Sequence, residues 1–288
     1  MAREERALPP AGLPVVDLLG VPVHPISLPE AVAFLEEAVV RRRPATVISL
    51  NGALLVRALR DRQLREAVCA ATLVIPDGVG VVLAARILGV PLHRRLPGVD
   101  LAEALCAAVA ARCGRVFLLG AAPGVAEAAL ERLRQRYPGL EGVGVAHGFF
   151  RPEEEAALLA RIARARPDVL LVALGAPRQE QWMHQHAPAL GVPVVMGVGG
   201  TLDVLAGRAR RAPRWVQTLG LEWLYRAARE PWRWSVVRTI PPLFLVALRE
   251  RLRAARRYRS RTIRSGGTAA PDPALRPGTR SRPGSTAK

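Results

Sequence analysis

The chain has 288 residues, 50% of them hydrophobic and 23% charged, proportions that belong to a globular protein and exclude an intrinsically disordered one. A chain of this length buries enough apolar surface to fold without disulfides or a structural metal. Its three cysteines, Cys69, Cys106 and Cys113, form no even set and no CxxC pair, which argues against a zinc site and for a reducing compartment.

The formal net charge of +18 is unevenly spread: residues 1–207 hold 22 arginines against 20 acidic residues, and the remainder holds 20 basic against 4 acidic. The second stretch is therefore expected to meet an anion: phosphate, nucleic acid or an acidic lipid surface. Residues 1–10 are charged and no apolar run follows them, so no secretory leader is expected. The longest apolar windows, 68–90 and 187–206, are broken by charge, glycine and proline and do not read as spanning helices. The expectation is a cytoplasmic protein whose membrane contact is peripheral.

After an N-terminal extension over 1–14, short apolar runs alternate with amphipathic stretches of helical length across 15–207. That pattern predicts an α/β fold: a Rossmann-like, mostly parallel sheet with helices on both faces. Strands are expected at 46–50, 72–75, 116–119, 140–146, 169–173 and 192–198. Ser27 and Glu30 form a capping box for a helix over 28–41. Pro123, Pro152 and Pro177 open helices over 124–137, 153–166 and 178–186, at positions where a missing N–H is tolerated.

From Arg208 the character changes. Residues 208–264 combine dense arginine with four of the five tryptophans and an apolar run at 240–248, a basic and mainly helical appendage. Residues 265–288 are Gly, Pro, Ser, Thr and Arg with little to bury, and a disordered tail is expected.

In a parallel sheet the ligand binds outside the carboxyl ends of the strands, so residues just after strands carry the functional interest. Gly120, Gly124, Gly199 and Gly200 suit close approach of backbone to phosphate, or simply tight turns. No GxGxxG fingerprint and no GxxxxGK[ST] loop is present, which removes most support for a dinucleotide or P-loop enzyme. Asp77, between Pro76 and Gly78, fits two roles: a turn-forming aspartate, or a general base able to take a hydroxyl proton. Ser49 and Asn51 alternate around Leu50 and point to one side of an extended segment, while Asn51 also suits a helix cap. Gln179 and Glu180 open a helix beside Gly175, where Glu180 complements the helix dipole or meets a ligand; Asp203 is a cap or a ligand contact. His184 and His186 are two apart and diverge on a helix, and His24, His93 and His147 have no partners nearby in sequence, so no metal is expected. Neutralising a diphosphate then falls to the C-terminal arginines.

Taken in order, these segments resemble one family. They are Ser49-Leu50-Asn51-Gly52, Leu73 through Pro76-Asp77-Gly78, Arg95-Leu96-Pro97-Gly98-Val99-Asp100, Phe117 through Gly124, Gly175-Ala176-Pro177-Arg178-Gln179-Glu180, Gly197-Val198-Gly199-Gly200 through Asp203, and Arg211-Ala212-Pro213-Arg214-Trp215 through Arg226. The chain resembles the WecG/TagA/CpsF bacterial glycosyltransferases from about residue 15 to 248.

The resemblance implies an inverting, metal-independent transferase without a cofactor. It would move an N-acetylhexosamine, N-acetylmannosamine in the best-known members, from a UDP-sugar to N-acetylglucosamine-diphospho-undecaprenol, for a surface polymer such as teichoic acid. Asp77 is then the base; Ser49 stands where the family has threonine, and Asn51 is retained. Gln179 and Asp203 fall near the nucleotide or donor sugar, and Glu180 and the four glycines count among the substrate-binding residues. The appendage would dock on an anionic membrane and close over the site, which assigns Arg226 and Arg233 to the leaving group and Arg214 and Arg229 to substrate contacts. Homo-oligomerisation is left open. Two other classes compete: an oxidoreductase using a nucleotide cofactor, and a nucleic-acid-binding protein using the Arg/Trp stretch, although no nucleic acid is expected as partner.

Overall fold

The computed structural model describes residues 13–209, 211–213, 216, 224, 225, 228 and 240–264. The extension to residue 12, the tail from 265, and Arg214, Arg226, Arg229 and Arg233 lie outside the described residues. Up to Leu248 the chain forms one compact unit, and from Arg249 a second, whose described part is helical. That division falls inside the 208–264 stretch.

The first unit opens with β1 (Val16–Leu18) and β2 (Val21–Val23), an antiparallel pair, followed by α1 (Leu28–Val40), β3 (Ala45–Leu50), α2 (Gly52–Ala58) and α3 (Arg62–Cys69). Next come β4 (Leu73–Pro76), α4 (Val79–Leu88), α5 (Gly98–Ala110), β5 (Arg115–Gly120), α6 (Val125–Arg136) and β6 (Glu141–Ala146). The series closes with α7 (Pro152–Ala165), β7 (Val169–Ala173), α8 (Arg178–Leu190), β8 (Val194–Gly197) and α9 (Thr201–Leu205), and α10 (Ile240–Arg264) runs from the first unit into the second.

Strands β3 to β8 form a single sheet in the order β4-β3-β8-β7-β5-β6, with every pairing parallel. All six are strands that the apolar runs predict. Burial on both sides explains why β4, β7 and β8 read as continuous apolar runs, whereas edge strand β6 (Glu141–Ala146) has no buried residue. Alternation along each strand then feeds two cores. Val47, Leu118, Leu171 and Met196 face one core, with α1, α5, α6 and α9; Ile48, Phe117, Leu170 and Val195 face the other, with α2, α3, α4, α7 and α8.

Local signals explain the helix starts. Ser27 accepts the Glu30 N–H while the Glu30 carboxylate accepts the Ser27 N–H at 2.7 Å, closing the capping box on α1. Pro152 is the first residue of α7, where no intrahelical donor is missed. Helix α8 runs beyond His186 and through Pro188 to Leu190, because Ala187 and Leu190 bury against the second core and hold the last turn in place.

The β1–β2 hairpin has no forewarning in the sequence. Its strands are three residues long, and its turn puts Leu19 at φ 58° and Gly20 at φ 79°, the left-handed pair that twists with the flanking strands. His24, just after β2, seals the edge of the large sheet. Its N–H donates to the Val74 carbonyl at 2.9 Å, and its Nδ1 accepts the Val74 N–H at 3.1 Å, so an imidazole completes the ladder of edge strand β4.

The 240–248 run also does more than its composition suggests. Leu243 and Ala247 on α10 are fully buried in the second core, contributing about 2 kcal/mol of burial for the leucine. Leu243 Cδ2 lies 3.1 Å from where a Cβ on Gly52 would stand and 3.8 Å from one on Gly80, so two glycines make room for it. Leu245 and Leu248 stay exposed.

Candidate active site

Strand β3 leads into α2 on one face of the sheet, while its neighbour β8 leads into α9 on the other. The two connections part at the carboxyl ends of adjacent strands, which opens a crevice there. Ser49 at the end of β3, Asp77 after β4, and the loop from Gly197 to Thr201 after β8 meet at this place.

Helix α5 supplies the floor. Its N-cap, Pro97, offers no side-chain cap, and the Gly98 N–H is instead donated to Asp77 Oδ1 at 2.9 Å. Asp77 thus caps a helix distant in sequence, and that bond fixes the orientation of its carboxyl group. The Asp77 N–H donates to the Leu50 carbonyl at 2.9 Å, and the Leu96 N–H to the Pro76 carbonyl at 2.7 Å, tying the turn to β3 and to the start of α5. Gly98 has no room for a side chain: a Cβ there would stand 2.4 Å from Ser49 Oγ. The same hydroxyl donates to the Gly197 carbonyl at 3.4 Å, so Ser49 touches both sides of the crevice.

Asn51 serves as the N-cap of α2, with Oδ1 accepting the Leu54 N–H at 3.0 Å. The cap uses the amide oxygen and leaves the Nδ2 donors for other partners. Gly78 packs against it, 3.3 Å separating the Asn51 Cβ from a Cβ built on the glycine.

Gln179 and Glu180 are not rim residues but interior ones, 5% and 2% exposed. Gln179 Oε1 accepts the Gly199 N–H and its Nε2 donates to Glu180 Oε1, both at 2.9 Å. Burial pushes the Glu180 carboxyl up to about 7, against the pull of its own backbone N–H, the Gln179 amide and the Arg57 guanidinium. Arg57 also donates to the Ala176 carbonyl at 2.7 Å, which holds the turn before α8.

Of the glycines, Gly120 is the most constrained. At φ 127° a Cβ would stand 2.3 Å from the Ala173 carbonyl oxygen, so it is a packing position at the end of β5. Gly124, at φ 78°, is the N-cap of α6 with the Arg208 guanidinium beside it, and Gly200 is the N-cap of α9. Asp203 lies half-buried in the first turn of α9, and its carbonyl accepts the N–H groups of Arg208 and Ala209.

The structure thus gathers Ser49, Asn51, Asp77, Gln179, Gly199 and Gly200 around one crevice, places Glu180 behind it, and sets Gly120 and Gly124 at the next connection along the sheet. Gly98 and Asp100 complete the picture, though neither is singled out by the chemistry of the sequence. Asp100, in the first turn of α5, pairs with Arg211 at 2.5 Å. Among the described residues, no group of three or more His, Cys, Asp or Glu side chains is arranged to hold a metal ion, and no helix is long and apolar enough to cross a membrane.

The model of the Glycosyl transferase WecG/TagA/CpsF family matches residues 16–257. The chain is 32% identical over 231 residues to the N-acetylglucosaminyldiphosphoundecaprenol N-acetyl-beta-D-mannosaminyltransferase of Bacillus subtilis strain 168, covering 80% of this chain and 90% of the relative. The protein of the same name from Bacillus spizizenii is 32% identical over 75% of this chain and 83% of its own length. That of Staphylococcus aureus strain MW2 is 35% identical over 68% and 76%. The match spans every element of the sheet and both sides of the crevice, and the chain therefore belongs to the WecG/TagA/CpsF family of glycosyltransferases.

Proposed function

We propose that this glycosyltransferase moves N-acetylmannosamine from a UDP donor to N-acetylglucosaminyl-diphosphoundecaprenol, with inversion at the anomeric carbon and without a metal ion. The names of the relatives support the sugar and the acceptor. The observation that carries the mechanism is the Asp77 carboxyl, held by the Gly98 N–H at the mouth of the crevice and separated from Ser49 Oγ by no more than the Gly98 backbone.

In this reading Asp77 takes the proton of the acceptor hydroxyl as its oxygen bonds to the anomeric carbon. The bond from that carbon to the diphosphate breaks on the opposite face, and UDP departs with the electron pair. Ser49 and the Asn51 amide orient the sugars, while the glycine loop braced by Gln179 lines the donor end. Charge on departing UDP is met by arginines of the C-terminal region, Arg226 and Arg233 foremost, with Arg214 and Arg229 on the substrates. That region also supplies the contact with an anionic membrane, through arginine together with apolar side chains such as the exposed Leu245 and Leu248.

The test is to incubate purified protein with UDP-sugars and an N-acetylglucosamine-diphospho-lipid in EDTA, then read product mass and anomeric configuration. A disaccharide lipid of inverted configuration, made from UDP-N-acetylmannosamine in the chelator, is expected. A requirement for Mg²⁺ or Mn²⁺, or retention of configuration, overturns the mechanism. Hydride transfer with a nicotinamide cofactor, or binding to RNA instead, would return the chain to the competing classes.

A further inference from the structure

We infer that Glu180 is a positioning residue: by holding the Gln179 amide in one orientation, it fixes the Gly199 N–H and so the glycine loop at the donor end of the crevice. The inference rests on the proposed function for where the donor binds, and on geometry alone for the rest.

The Gly199 N–H is a donor, so it requires the oxygen of the Gln179 amide; Nε2 then has to face the other way, onto Glu180 Oε1. Both side chains are withdrawn from bulk solvent, Gln179 at 5% and Glu180 at 2% exposure, although Glu180 also borders a cavity of about 180 Å³ with Thr46, Ile48 and Met183. The loop also packs directly on this amide, since a Cβ on Gly197 would stand 2.6 Å from Nε2. From the far side, Ser49 Oγ holds the Gly197 carbonyl. A chain of contacts therefore runs from Glu180 through Gln179 and the loop to Ser49.

An apolar side chain at 180 would leave Nε2 buried without an acceptor, and the amide would lose its reason to keep Oε1 on Gly199. Glu180 Oε2 is itself buried and has no hydrogen-bond partner among the described residues, which marks the carboxyl as retained at a cost in burial that an apolar residue would avoid. Its surroundings carry little other charge. Arg57 comes from α2 and His184 from α8 itself, whereas β3 and α3 contribute Thr46, Ile48 and alanines. The carboxylate form is the stronger acceptor for Nε2.

Two substitutions test this. Glu180→Met keeps length and removes the acceptor. It is expected to fold with an unchanged or higher Tm, to speed Gly199 amide hydrogen exchange about tenfold, and to raise donor KM about tenfold while kcat stays within about threefold. Glu180→Gln keeps the acceptor and should restore both Gly199 protection and donor KM, while removing a fall in donor KM that the wild type shows as pH rises through the Glu180 transition. Wild-type exchange at Gly199 in Glu180→Met overturns the inference, as does lost protection with an unchanged donor KM. A fall in Tm with both other readouts unchanged makes Glu180 a core residue only. The exchange measurement needs no substrate, so a wild-type protein that transfers no sugar defeats the proposed function while the exchange result still decides the role of Glu180.

Discussion

At one end of the crevice Asp77 occupies a two-residue turn between β4 and α4, half-exposed, with one carboxyl oxygen on the Gly98 N–H. At the other, Gln179 and Glu180 are buried in the first turn of α8, and Gln179 meets the glycine loop at the Gly199 N–H and against Gly197. Both ends present carboxyl groups, but Asp77 is half-exposed whereas Glu180 is buried. Glu180 is placed to hold structure. The contrast shows that acidity within a sequence motif does not assign a chemical role; exposure and hydrogen-bond partners do.

The largest change is expected in turnover. Asp77→Asn retains an oxygen to cap Gly98 and loses basicity, so turnover is expected to fall by about 10² or more with UDP affinity nearly intact. Isothermal titration with UDP beside a transfer assay separates the two. Near-normal turnover would make Asp77 a helix cap and nothing more.

Next in size is a stability effect in the second core, where Leu243 fills the space over Gly52 and Gly80. Leu243→Ala is expected to lower unfolding free energy by about 2–4 kcal/mol in urea titration. Ending the chain at Gly207 removes Leu243 and Ala247 together and should lower Tm, whereas ending it at Leu248 should not. Equal Tm for both truncations would contradict the packing of α10. Vesicle flotation of the two forms then separates membrane binding from loss of core.

A smaller effect concerns His24. Burial lowers its pKa below 6.5, against the Val74 carbonyl near Nδ1, which favours the protonated ring and raises it, so the unfolded chain takes up a proton at higher pH than the folded one. Its contribution to stability is therefore fully present above pH 6.5 and declines as pH falls from there toward the lowered folded value. His24→Gln should flatten that part of the stability–pH curve, and an unchanged slope would place the titration elsewhere.

The smallest effect is expected at Asp100–Arg211, a partly exposed ion pair. Arg211→Ala should cost about 1 kcal/mol or less, with its readout in donor KM rather than Tm if the pair places the C-terminal region beside the site.

The sheet was legible because both of its faces are buried: runs such as Val169–Ala173 have no polar side to show and no other use. Asp77 and Ser49 were legible because polar residues at the ends of such runs need a reason. The hairpin was hidden by its three-residue strands and by Leu19, an apolar residue holding a left-handed turn that sequence normally marks with Asn or Gly. Glu180 was hidden for a different reason. Its neighbour Gln179 has the same composition signal, and only the direction of each side chain from the first turn of α8 tells a bracing pair from a ligand-facing one. Leu243 reads as part of an apolar run suited to a membrane, and its burial depends on space left by Gly52 and Gly80, some 160 to 190 residues earlier in the chain.

The most direct test of the division between chemistry and placement is to measure kcat and donor KM for Asp77→Asn and Gln179→Met on the same acceptor lipid. The account predicts that Asp77→Asn loses kcat at nearly constant donor KM, and that Gln179→Met raises donor KM while keeping most of kcat. The reverse pattern, with Gln179→Met losing kcat and Asp77→Asn changing only KM, would contradict it.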